Sequence, residues 1–138
     1  MTFTRRQLLK RSAGALPLGL MLNTVWAAQP VVEIIGFAHP PVPSALKPLR
    51  DWLASQGGKL RVVEIDMESP EAEKRLKALG IKGHIPIVVV VDGRYKHVRK
   101  DGSRVDLVGF PSGPGAPVGM KDGWSVEDVQ AVLKAGKP

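Results

Sequence analysis

Two apolar runs set the tightest limits on what this chain can become. Val31-Val32-Glu33-Ile34-Ile35-Gly36-Phe37 carries one charge in seven residues, which is short enough for a strand and too uniformly apolar for a strand with a wet face. It reads as a central strand covered on both sides. Ile85 through Val91 is β-branched apart from Pro86 and closes at Asp92-Gly93, a turn dipeptide. Between them, after the proline-rich stretch His39 to Pro43, Leu46, Leu49, Trp52 and Leu53 recur at three- and four-residue spacing, giving a helix with one buried face that Gly57-Gly58 ends. Pro48 lies inside it and is expected to kink it. Leu60 to Asp66 reads as a second strand. Ser69-Pro70, with Glu71 and Glu73 in the first turn, opens a second helix that Gly80 terminates. Tyr95 to Val98 and Val105 to Phe110, around Asp101-Gly102, read as a hairpin. Ser125 with Asp128 is a capping box for a last helix whose apolar face is Val126, Val129, Val132 and Leu133. The order strand, helix, strand, helix, strand, strand, helix implies two right-handed crossovers and then a hairpin. The fold class is α/β, a three-layer arrangement with a mixed central sheet and helices on both faces.

Composition narrows the function. The chain has 138 residues, 43% apolar and 24% charged, which suits one globular domain and excludes a mostly disordered chain or a multidomain enzyme. The formal charge is +7, yet Arg5, Arg6, Lys10 and Arg11 fall in the first 27 residues, where there is no acid. Taking these four from the 20 basic side chains leaves 16 against 13 acids, a net +3. Nucleic-acid binding needs a concentrated cationic stripe on the folded domain, and Arg94, Lys96, Arg99 and Lys100 around His97, with Tyr95 the only aromatic, are too few to make one. No cysteine is present, which removes disulfides, thiolate nucleophiles, iron–sulfur ligation and cysteine zinc sites.

Residues 1–27 read as an export leader and 28–138 as the folded domain, whose roughly 111 residues suffice for one core. Thr4-Arg5-Arg6-Gln7-Leu8-Leu9-Lys10 precedes the apolar stretch Ala13 to Leu22 and resembles a twin-arginine export signal. That stretch, broken by Gly14, Pro17 and Gly19, is well below the ~20 apolar residues that span a bilayer as a helix. Val25-Trp26-Ala27 implies cleavage after Ala27, membrane contact through the leader alone, and a periplasmic destination. Cargo of this type often carries a cofactor or travels with a partner. No cofactor motif is seen, so no cofactor is expected and a protein partner is.

Over Val31 to Leu133 the chain is similar to the thioredoxin superfamily. One match is Gly80-Ile81-Lys82-Gly83-His84-Ile85-Pro86-Ile87, between a helix and the strand Val88 to Val91, where family members have an Ile-Pro with a cis peptide bond. The other is the interval back from Pro48, taken as the family's helix proline. On that count the family's Cys-x-x-Cys falls on Pro40-Pro41-Val42-Pro43, its preceding tryptophan on His39 and its buried acid on Ile34. Every thiol and acid of the redox centre is replaced, so thiol–disulfide exchange is excluded whatever the fold. What the resemblance leaves is a surface on which the backbone of the residue before the cis proline, Ile85 here, pairs with an extended peptide.

The expected function is therefore noncatalytic: an exported thioredoxin-like domain that docks a peptide or an exported protein, serving its assembly or maturation. The candidate docking residues are His39, Pro40, Pro41, Val42, Pro43, His84, Ile85 and Pro86. The alternative is a copper or zinc carrier using His39 and His84, since two imidazoles suit either metal but fall short of the three or four ligands of a tight site. His97 reads as a surface residue. Ser44 and Ser103 lack a base–acid pair that would make either a nucleophile. The loop from Pro111 to Gly119 does not open a helix in the phosphate-binding manner.

Overall fold

The computed structural model describes residues 28–113 and 123–136. The leader and most of the glycine- and proline-rich loop read from the sequence lie outside the described residues. Strand β1 (Val31–Gly36) leads into helix α1 (Val42–Ser55) and a 3₁₀ turn (Gly57–Lys59), then β2 (Arg61–Asp66), α2 (Pro70–Leu79), β3 (Ile87–Val91), the β4 (Lys96–Val98) and β5 (Arg104–Asp106) hairpin, and α3 (Val126–Ala135).

Local chemistry sets most of these boundaries. The Ser69 hydroxyl accepts from the Ala72 amide at 3.1 Å, Pro70 occupies the first turn, and Gly80 at φ 74° ends α2 in the left-handed conformation that glycine adopts without penalty. At α3 both halves of the capping box form: the Ser125 hydroxyl accepts from the Asp128 amide, and the Asp128 carboxylate accepts from the Ser125 amide. Helix α1 runs unbroken through Pro48, with Leu46, Leu49 and Leu53 buried.

The sheet order is β2-β1-β3. β1 pairs parallel with β2 and antiparallel with β3, in register Gly36↔Asp66 and Gly36↔Ile87. Only the first connection, through α1, therefore joins parallel strands, where two such crossovers were expected. The reason is the length of chain after α2. Ten helical residues travel about 15 Å, and the six residues Ile81–Pro86 reach about 20 Å when extended, enough to retrace the helix and enter β3 beside the end of β1. On the other side of β3, the Val89 amide donates to Leu107 and the Gly109 amide to Ile87, each at 2.8 Å, so the chain beyond β5 covers that edge.

Strand alternation splits the core in two. Val32 and Ile34 of β1, with Ile87, Val89 and Val91 of β3, pack against α1, α3 and Trp124. Ile35, Val88 and Val90 face the other way, against Ala72, Leu76 and Leu79 of α2. The result is a mixed sheet with helices on both faces, in the expected α/β class. Glu33, on the α2 face, accepts two hydrogen bonds from Arg75, at 2.6 and 2.8 Å, and so ties helix to strand.

Arg99 from the hairpin donates to both carboxylate oxygens of Asp128, at 2.8 and 3.0 Å, and the Ser125 amide adds a further bond. Chiefly through Arg99, these bonds hold the Asp128 carboxyl below its ordinary value. A carboxyl depressed in the folded state contributes stability above its unfolded value of about 3.9, and that stability is lost as pH falls through the folded value. The stability gap between wild type and Asp128→Asn is therefore expected to be open at neutral pH and to close below about pH 4. Urea midpoints measured across that range check it.

Candidate functional site

Because β3 enters beside the end of β1, the segments following β1 and preceding β3 meet at one end of the sheet. The Phe37 amide donates to the Pro86 carbonyl at 3.4 Å, and the Met67 amide to the Gly36 carbonyl at 2.9 Å. A methyl group at Gly36 would lie 3.3 Å from Val42 Cγ1, 3.4 Å from Leu46 Cδ1 and 3.7 Å from the Pro86 oxygen, so glycine lets the start of α1 close onto this junction.

Phe37 is half-buried and forms the middle of the site. Its ring centroid is 5.0 Å from that of His39 and 5.8 Å from that of His84, both exposed, so one aromatic ring is flanked by two imidazoles from separate loops. His39 Nδ1 lies 3.3 Å from the Pro40 carbonyl. Pro40 and Pro41 are exposed and Pro43 half-buried, whereas Val42 is buried and belongs to the core as the first residue of α1. Ile85 and Pro86 are half-buried. The structure thus brings His39, His84 and Pro86 together at Phe37, with Val42 under that surface rather than on it, while the Ile85 side chain turns to the other face of the sheet and packs in the α2-side core, so that only its backbone borders the site. Phe37, which sequence reasoning did not single out as functional, is the residue that joins them; its signal was only its place at the end of the apolar run.

The Ile85–Pro86 bond is trans, against the cis bond expected there. Among the described residues the cis peptide is Pro40–Pro41, in the opposite loop. With a trans bond Pro86 opens β3 in the ordinary way: it lacks an N–H, and its carbonyl accepts from Phe37. The backbone next to it is open. Among the described residues, no backbone hydrogen bond reaches the N–H or C=O of Lys82, Gly83, His84 or Ile85.

No group of three or more metal-ligating side chains occurs among the described residues. Met67, though its backbone touches Gly36, packs on the α2 face with Ile35 and Ala72, on the far side of the sheet from the core that Phe37 joins. Ile34 is fully buried among apolar residues. A cavity of about 250 Å³ lies at the opposite end of β1, floored by Trp52, Leu60 and Leu133 and rimmed by Lys59 and Lys134. It contains no convergent acid, base or nucleophile. His97 is half-buried, with Nε2 2.9 Å from the Arg94 carbonyl, and takes part in the hairpin rather than in the site. No protein-family model, curated protein or solved structure matches the chain.

Proposed function

We propose that the chain is an exported, non-redox thioredoxin-like protein that docks an extended peptide or protein segment across Phe37, His39, His84 and the backbone of Lys82–Ile85. The mixed sheet with helices on both faces supports the fold, and the absence of cysteine removes its thiol chemistry. The observation that carries the docking reading is the combination of one half-buried aromatic ring between two exposed imidazoles and an adjoining run of backbone, Lys82–Ile85, without hydrogen-bond partners among the described residues. An extended segment satisfies such backbone through its own amides, while the ring and imidazoles supply contact area.

The test is selection of a random-heptapeptide display library on the full chain in the presence of EDTA. Enriched peptides are expected, with affinity reduced about tenfold or more by Phe37→Ala, in line with loss of a buried aromatic contact. Absence of enrichment, or enrichment indifferent to both Phe37→Ala and a His39→Ala/His84→Ala double variant, contradicts the reading.

A second reading is favoured by one observation: the two imidazoles lie 5.0 and 5.8 Å, centroid to centroid, from the same ring. In it His39 and His84 carry copper or zinc as cargo. Native mass spectrometry with micromolar Cu(II) or Zn(II) distinguishes the two. A single bound ion lost in His39→Ala supports the carrier, and metal-free protein removes it.

A further inference from the structure

Among the described residues, the β4–β5 hairpin presents an unpaired sheet edge with a marked charge bias. Tyr95 accepts from the Leu107 amide and the Arg99 amide donates to Ser103, each at 2.8 Å, with His97 opposite Val105 between them. Residues 95, 97 and 99 therefore turn their backbone groups toward β5. Lys96 and Val98 turn theirs the other way, as alternation in an antiparallel ladder requires. No described strand pairs with that side of β4. Val98 is 68% exposed, the most exposed large apolar residue described, and shares its face with Lys96, with Lys100 two residues further along. Arg104 lies directly across from Val98, and Asp106 across from Lys96. From Arg94 to Asp106 there are five basic side chains against two acids. Arg99 is engaged by Asp128 and Asp101 by Ser103, while Arg94, Lys96, Lys100 and Arg104 have no carboxylate within 4.0 Å among the described residues.

We propose that this edge of β4 is a second docking surface, distinct from the Phe37 site, which takes an extended acidic–aliphatic peptide segment by strand addition. The occupant's backbone would pair with Lys96 and Val98, an aliphatic side chain would cover Val98, and acidic side chains would lie over Lys96 and Lys100. Charge decides against a second copy of the chain as occupant. Antiparallel self-pairing centred on Val98 sets Lys96 opposite Lys100 twice, and like charges directly opposed destabilise a ladder. The same pattern guards the edge against indiscriminate association.

The probe is a capped heptapeptide that alternates threonine with glutamate, valine and glutamate, titrated into the full chain by calorimetry with amide hydrogen exchange as readout. Saturable binding is expected, with Lys96 and Val98 amides protected and the affinity unaffected by Phe37→Ala. Two protein variants are expected to weaken it about tenfold: Val98→Pro, which removes an amide that β5 does not use, and the Lys96→Glu/Lys100→Glu pair. A probe N-methylated at its glutamates and valine, the residues that an antiparallel addition pairs with the outward-facing backbone of β4, needs no change to the protein and is expected not to bind. Absence of binding, equal affinity of the N-methylated probe, or a dimer of the unmodified chain in which the Lys96 and Val98 amides are protected without probe overturns the proposal.

Discussion

Trp124→Ala is expected to remove about 3–5 kcal/mol of stability, a large part of what a domain of this size possesses. Trp124 is 1% exposed and packs with Leu107, Val129 and Leu133 on the α1/α3 face of the sheet. Its indole N–H donates to the Gly109 carbonyl at 2.9 Å, and its own carbonyl accepts from the Ser112 amide at 2.8 Å. Gly109 in turn donates to Ile87, the first residue of β3, so the tryptophan fixes the segment flanking the docking end of that strand. The chain makes room for this arrangement at Gly123, where a Cβ would lie 2.6 Å from the Phe110 carbonyl. Trp124→Phe keeps most of the apolar contact and deprives Gly109 of its indole donor, at a cost of about 1–3 kcal/mol. Urea unfolding followed by far-UV circular dichroism measures both; a loss below about 1 kcal/mol in the alanine variant contradicts the central role given to this side chain.

Ile34→Asp, which puts a carboxyl in the centre of the core, is expected to unfold the domain or nearly so at neutral pH. Ile34 is fully buried, and the described core holds no buried polar or charged residue to partner a carboxylate. A fully buried carboxyl has its folded-state pKa raised by up to 3–5 units, corresponding to about 4–7 kcal/mol, in addition to the packing lost. The sign is opposite to that at Asp128. With the folded value raised above the unfolded one, the penalty is smallest below about pH 4 and grows as pH rises toward the folded value. Ile34→Asp should therefore gain on wild type as pH falls, whereas Ile34→Val is expected to cost about 0.5–1.5 kcal/mol at every pH. A pH-independent deficit in the aspartate variant would mean that the carboxyl reaches water and that this part of the sheet is less covered than described.

What was legible in the sequence was legible because its cause was local. Ser69, Pro70 and Gly80 bound α2, and Ser125 with Asp128 starts α3, through contacts only a few residues apart. The apolar runs at β1 and β3 revealed burial because β-branched residues without alternation have no face to give to water. The site was legible as one candidate surface carrying both His39 and His84, and the two do meet at Phe37. The rest depended on distant partners. Nothing near Arg75 points to Glu33, or near Arg99 to Asp128, because these pairs are 42 and 29 residues apart. The direction of β3 depended on how far Ile81–Pro86 reaches, and Trp124 acquires its role only once Gly109 is placed. The isomer of Ile85–Pro86 was inferred from a likeness rather than from the residues themselves, and there the expectation failed.

The central claim is that partners dock at the end of the sheet where β1 finishes and β3 begins. Amide hydrogen exchange of the full chain, with and without a saturating display-selected heptapeptide, tests it most directly. Slowed exchange at Lys82, Gly83, His84 and Ile85, together with Phe37 and Ala38, is the expected result. Slowing confined to the far end of the sheet, around Trp52, Leu60 and Leu133, with Lys82–Ile85 unchanged, would contradict it.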